Sequence, residues 1–155
     1  MVDAIVPAVS TRLARGEDKA GIWQLYEEAL RPHIETIWGW DEDWQRANFD
    51  QALRDMATRV VEVDGRFAGY VQVKAEPGED YLSMLILRPA FRSLGLGARL
   101  LASLLARSRG AGRGLSLRVF RTNASARRFY ERQGWHVVAD EGSFLLMRPG
   151  EGRHR

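Results

Sequence analysis

One joint constrains the fold of this chain more than any other. A mostly apolar run of strand length, Tyr81 to Leu87, stops at Arg88-Pro89 and passes through a glycine-bearing turn into a leucine-rich helix. The leucines at 96, 100, 101, 104 and 105 recur at helical spacing between Gly95 and Ser108. Pro89 ends the strand, because its ring fixes the backbone and removes a donor. A buried strand that feeds at once into an amphipathic helix calls for a sheet with helices packed on it.

The flanking patterns extend this layout. Val9 to Ala14 reads as a first strand. Asp18 suits the N-cap of a helix running to about Leu30, with Ile22, Leu25, Tyr26 and Ala29 on one face. Pro32 should break or kink it and leave Ile34 to Trp40 irregular. Asp41 or Asp43 can cap a second helix ending near Met56, with Trp44, Ala47 and Leu53 as a partial apolar face. The period then changes: Val60–Val63 and Phe67–Val73 flank Asp64-Gly65, a tight hairpin signal, and Pro77-Gly78 marks another turn. After Gly110, Gly112 and Gly114 come a strand (Leu115–Phe120) and a helix (Asn123–Gln133) with Gly134 at its end. Two closing strands, Trp135–Ala139 and Phe144–Met147, surround Glu141-Gly142. The tail should fray from Gly150. The expected fold is a single α/β (α+β) domain over residues 1–155, with a mixed sheet of six to seven strands and about four helices. Too few βα units repeat for a doubly wound sheet.

Composition narrows the function classes. With 155 residues, 45% of them hydrophobic, one core is the expectation. The chain has no cysteine, which excludes a disulfide framework, thiolate metal sites and a thiol nucleophile. Met1 to Pro7 carries Asp3 and no long apolar run, so neither a signal peptide nor a membrane span is expected, and the cytoplasm is the expected location. The net charge is +3, and apart from Lys19 and Lys74 the basic residues are arginines. They are scattered and accompany no nucleic-acid-binding motif, so an anionic cofactor explains the charge better than nucleic acid does.

Two segments carry chemistry. In the first, Arg92-Ser93-Leu94-Gly95-Leu96-Gly97-Ala98, the chain enters a helix. Helix starts leave N–H groups unpaired and add partial positive charge, glycines admit close approach, and Arg92 adds a full charge, which together suit a phosphate cradle; an ordinary strand-to-helix turn is the alternative. No Gly-Lys-Ser/Thr follows, so this is not a Walker loop, and the glycine spacing does not fit a dinucleotide fingerprint. In the second segment, Asn123 and Tyr130 lie seven residues apart, nearly two helical turns, and share a face with the small Ala126 between them; taken alone, Asn123 as a helix cap and Tyr130 as core filling is the alternative.

Taken together, Arg92-x-x-Gly95-x-Gly97 and Asn123-x-x-Ala126-x-x-x-Tyr130-x-x-x-Gly134-Trp135 closely resemble the GNAT superfamily of N-acetyltransferases, strongly over about Val60 to Met147. The resemblance implies a sheet splayed between the fourth and fifth strands with acetyl-CoA, a co-substrate, in the gap and no metal. It implies that Leu85, Ile86 and Leu87 supply backbone hydrogen bonds to the pantetheine arm and thioester. The N–H groups of Ser93, Leu94, Gly95, Leu96, Gly97 and Ala98 would hold the pyrophosphate, with Arg92 opening the loop. Asn123 and Ala126 would meet the cofactor arm, and Tyr130, near the sulfur, would act as general acid. The implied partner is an amine on a small molecule or peptide; homodimers are common among similar proteins.

The pattern departs from the family at one place. Many relatives carry a glutamate base five residues before the asparagine, and here that position is Arg118, which stays protonated and cannot accept a proton. Glu79, Asp80, Ser83, Glu35, Asp41 or a water chain remain as replacements. The segment Trp38-Gly39-Trp40-Asp41-Glu42-Asp43-Trp44 packs three tryptophans and three acids into seven residues. Aromatic faces and carboxylates attract cations, so Trp38, Trp40, Asp41 and Glu35, with Ser83 and His33, are candidates for an amine pocket; core plugs and helix caps are the alternative. A longer acyl-CoA as donor and a non-catalytic acyl-CoA sensor stand as alternative functions.

Overall fold

In a computed structural model, which describes residues 8–151, the expected order of elements is present. It comprises β1 (Val9–Leu13), α1 (Lys19–Ile37), α2 (Glu42–Asp55), β2 (Ala57–Val63), β3 (Arg66–Glu76), β4 (Glu79–Leu87), α3 (Leu96–Gly110), β5 (Gly114–Phe120), α4 (Ala124–Arg132), β6 (Trp135–Asp140) and β7 (Phe144–Pro149). The opening segment Met1–Pro7 and the tail past Glu151, where fraying was expected, lie outside the described residues.

The strands form one seven-stranded sheet in the order β1-β2-β3-β4-β5-β7-β6. All neighbours are antiparallel except β4 and β5, which run parallel because α3 carries the chain back between them. Alternate residues of the central strands serve opposite faces. Val60, Tyr70, Met84 and Ile86 pack under α1 and α2 with Ile22, Trp23, Leu25, Tyr26 and Phe49. Val61, Val71, Leu85 and Leu87 pack under α3 with Leu96 and Leu100. A third cluster, Leu82, Leu101, Leu117, Tyr130, Trp135 and Met147, joins α3 and α4 to β5 and β7.

Three local expectations need correction. Helix α1 does not end near Leu30 but continues through Pro32 to Ile37. Proline removes one helical donor, yet Arg31 bridges Glu27 (2.7 Å) and Glu35 (3.0 Å) across the same turns and Ile34 is buried, which together hold the helix beyond it. Asp18 stands at the N-cap of α1, but its carboxylate bonds Arg12 and the Arg15 N–H instead of capping the helix. In α2 the buried side chains are Gln45 and Phe49, while Trp44 faces out. Gln45 turns inward because its Oε1 accepts the Tyr26 hydroxyl at 2.9 Å, so a polar residue occupies a core position that an apolar pattern cannot mark.

Candidate functional site

The cleft starts where two strands part. Pairing of β4 with β5 runs from Glu79–Gly114 to Leu82–Leu117 and stops. Beyond that point Arg118, Val119 and Phe120 pair only with β7, and the rest of β4 pairs only with β3. Ser83 is the unpaired residue of a bulge, between the pairs Gln72–Met84 and Val73–Leu82. Bulges bend and twist a strand, and here the bend falls where the sheet opens. The opening holds about 1420 Å³ and is walled by the freed half of β4, the start of α3, one face of α4 and the α1–α2 connection.

At one end lies the start of α3. Ser93 (φ 63°) and Gly95 (φ 78°) adopt left-handed backbone, which folds the chain tightly into the helix. The first bond of α3 runs from the Arg99 N–H to the Gly95 carbonyl at 3.2 Å, so the N–H groups of Leu96, Gly97 and Ala98 have no helical partner. Side-chain bulk is excluded beside them, since a Cβ on Gly97 would stand 3.2 Å from Phe129 Cζ. Such a turn suits an anion. Arg92 pins the joint: its Nε donates to the Leu87 carbonyl at 2.8 Å and its Nη2 reaches Glu28 of α1 at 3.2 Å. The Leu94 side chain is exposed and that of Leu96 lies in the core, so these two offer the turn only their backbone.

Helix α4 forms the next wall. Asn123 caps it, its Oδ1 accepting the Ala126 N–H at 3.0 Å, which leaves its amide N–H groups for the cleft. Ala126 and Tyr130 follow on the same face and also line the cleft, as do Leu85, Ile86, Leu87 and Ala98. Tyr130 is buried against Phe129 (5.1 Å between centroids) and Trp135 (6.1 Å). Burial, with Tyr81 nearby, pushes its phenol above the usual range and keeps it protonated.

The far end is built from the α1–α2 connection. Trp38, Asp41, Trp44 and Ser83 line it. Trp38 is 59% exposed and leans on Phe120 (6.2 Å) and Phe144 (5.8 Å). His33 stacks on Phe120 at 5.3 Å and its Nδ1 lies 2.7 Å from Thr122 Oγ1, so the end of α1 reaches across to the β5 arm. Trp40 and Glu35 sit elsewhere. Trp40 packs among Trp23 (6.0 Å) and Tyr26 (6.5 Å), with Arg31 5.0 Å from its ring centre, and Glu35 pairs with Arg31. Gln45, Asn48, Tyr81 and Phe144 also line the cleft, and the sequence reading does not reach them.

The nearby carboxylates are engaged. Arg148 (3.0 Å) holds Glu79 below its usual range, helped by Ser116, against the effect of burial. Burial works to raise Asp80, but hydrogen bonds from Ser108 and Arg113, both 2.8 Å, outweigh it and leave it lowered. Asp41 caps α2 through the Trp44 N–H at 3.0 Å. Among the described residues no group of three or more His, Asp or Glu could hold a metal ion.

A sheet parted between two parallel strands, with a helix start aimed at the gap, defines a class, and the sequence agrees: residues 20–135 match the model of the acetyltransferase (GNAT) family, and the chain belongs to it. No curated protein matches the sequence. Solved structures share the fold. The PaiA N-acetyltransferase of Thermoplasma acidophilum, in complex with coenzyme A, superposes with a TM-score of 0.73 at 18% identity, over 93% of this chain and 99% of its own. The yncA protein of Salmonella typhimurium, with its cofactor acetyl-CoA, gives 0.61 at 21% identity, over 96% and 98%. Arabidopsis thaliana Naa50, in complex with the bisubstrate analogue CoA-Ac-MVNAL, gives 0.58 at 16% identity, over 90% and 95%.

Proposed function

We propose that the protein transfers an acetyl group from acetyl-CoA to a primary amine of a small molecule or peptide, by direct attack with both substrates bound. The observation that carries this is the loss of β4–β5 pairing after Leu82–Leu117, which frees the β4 edge between the start of α3 and Tyr130. The residues present fit a CoA-like ligand: unpaired N–H groups at Leu96–Ala98 suit its diphosphate, and the freed edge at Leu85–Leu87 suits its amide-bearing arm. Bound there, acetyl-CoA supplies the activated thioester carbonyl.

The protein's own groups do the rest. Holding the amine and the carbonyl side by side makes a two-body step nearly intramolecular. A backbone N–H of Leu85–Leu87 polarises the carbonyl. As the new C–N bond forms and the C–S bond breaks, the Tyr130 hydroxyl protonates the departing sulfur and is recharged from solvent. The ammonium proton leaves to water through the open mouth, because Glu79, Asp80 and Asp41 are engaged and Arg118 cannot accept it.

The test is release of free CoA thiol from acetyl-CoA across amines, polyamines, aminoglycoside-type compounds and peptides. Tyr130→Phe should lower kcat by about 10²–10⁴ with CoA affinity nearly unchanged. An unaltered kcat removes Tyr130 from the mechanism. Arg118 in place of the usual glutamate favours one other reading, an acyl-CoA sensor, in which CoA binds and no amine releases thiol.

A further inference from the structure

A second cavity of about 180 Å³ lies between α2 and the β3–β4 pair, lined by Tyr26, Asn48, Tyr70, Gln72, Ser83 and Met84 among others. Tyr26, Asn48, Ser83 and Met84 also line the main cleft, so the two spaces adjoin at the bulge of β4. Three features mark this cavity as more than a packing gap.

First, Tyr70 is 1% exposed and its hydroxyl has no hydrogen-bond partner among the described residues. A buried hydroxyl left unpaired costs about 1–3 kcal/mol, so the sequence keeps a phenol where phenylalanine would pack as well. Second, Gln72, two residues along the same face of β3, spends its amide N–H on Thr58 Oγ1 at 3.0 Å, and its carbonyl oxygen remains an acceptor. Third, the buried part of the lining is neutral. Asp55 stands at the exposed rim and is held by Gln51 at 2.9 Å. A charged group placed beside Tyr70 would lose its hydration with no buried counter-ion, whereas a neutral group that both donates and accepts would pair the orphaned Tyr70 hydroxyl.

We propose that this cavity receives a neutral hydrogen-bonding group, a hydroxyl or carboxamide, carried on the arm of the acceptor beyond its reacting nitrogen. The inference rests on the acetyl-transfer reading above and names its acceptor class: amines with a polar, uncharged tail. Tyr70 and Asn48 act as specificity residues and take no part in the transfer.

The experiment compares kcat/KM, by thiol release, for linear amino alcohols of three to eight carbons, alkylamines of equal heavy-atom count and the matching α,ω-diamines. The wild-type protein should prefer the best amino alcohol over its alkylamine partner by about tenfold or more, because a site built to pair a hydroxyl rejects the analogue that lacks it. Tyr70→Phe should bring that ratio close to one, and Asn48→Ala, at a solvent-accessible lining position of α2, should lower it several-fold. If Tyr70→Phe fails to fold, as circular dichroism would show, the Asn48→Ala ratio decides. A wild-type ratio near one, as for a cavity that holds only water, overturns the inference while leaving acetyl transfer intact. So does a ratio untouched by either variant, or a diamine that outperforms the amino alcohol. Absence of thiol release with every amine overturns the acetyl-transfer reading and this inference with it.

Discussion

Arg118 on β5 and Glu141 in the β6–β7 turn close a two-pronged ion pair, Nε to Oε1 at 2.6 Å and Nη2 to Oε2 at 3.3 Å, with the guanidinium 5.2 Å from the ring centre of Tyr81. A fixed cation therefore occupies the place on β5 where the family resemblance implies a carboxylate, and the pair holds Glu141 below its usual range. On the route proposed above, the ammonium proton leaves to water and not to a group of the protein. Log kcat/KM should rise by about one unit per pH unit until the acceptor amine is neutral, and the break should move with the amine when acceptors of different basicity are compared. A break fixed near pH 6–7 for all amines would instead assign the proton to a group of the protein.

Trp38 and Trp40, two residues apart, have opposite surroundings, and this separates recognition from stability. Trp38→Ala removes an exposed ring at the cleft, so it should leave the melting temperature within a few degrees and raise the acceptor KM about tenfold. Trp40→Ala removes a ring packed between Trp23 and Tyr26, so it should cost about 3 kcal/mol of stability. Asp41→Ala should cost about 1 kcal/mol through the lost cap of α2. A folded Trp38→Ala protein with unchanged KM would show that this tryptophan only covers Phe120 and Phe144.

How far the sequence reaches follows from the kind of signal each residue sends. Order and type of the strands and α-helices were legible, because apolar periods of two and 3.6 residues and turn residues such as Asp64-Gly65 are local properties. The extent of α1 was not: Pro32 carries a strong local signal that the burial of Ile34 and the Arg31 bridges override. The buried face of α2 was misread at Trp44, because Gln45 is inside only to pair with the Tyr26 hydroxyl, a contact nineteen residues away. In the cleft, the turn after Arg92 and the Asn123–Tyr130 face could be read from one segment each. Tyr81, Asn48 and Phe144 could not, because three separate elements bring them to the opening.

Gly69 offers a sharp test of the β3–β4 contact that supports the cleft. A Cβ there would fall 2.1 Å from the Ile86 carbonyl oxygen and 2.9 Å from Leu87 Cα, both backbone atoms that cannot swing aside. Gly69→Ala must push β4 outward at the edge proposed to meet the CoA arm. The expected loss is about 3 kcal/mol or more in urea unfolding, with CoA affinity falling alongside. Gly16→Ala, where the added Cβ meets nothing within 4 Å, is the control and should change neither.

Asp18 supplies a prediction on pH and stability. Arg12 grips its carboxylate with two bonds, 2.8 and 2.9 Å, and also reaches Glu62 at 3.2 Å, so one residue ties β1, β2 and the start of α1 together. The Arg12 bonds, reinforced by the Arg15 N–H and opposed by burial, hold the Asp18 carboxyl at about 2, below its ordinary 3.8. A carboxyl lowered in the folded state contributes stability that is complete above its unfolded value and is lost as pH falls through 3.8 toward 2. The Arg12 side chain is 27% exposed, so solvent screening keeps the effect small. Asp18→Asn should therefore unfold at lower urea than the wild type at pH 7, and the gap should close between about pH 4 and pH 2. A gap that stays constant across that range would mean that Asp18 acts through shape and neutral hydrogen bonds, with its charge contributing nothing.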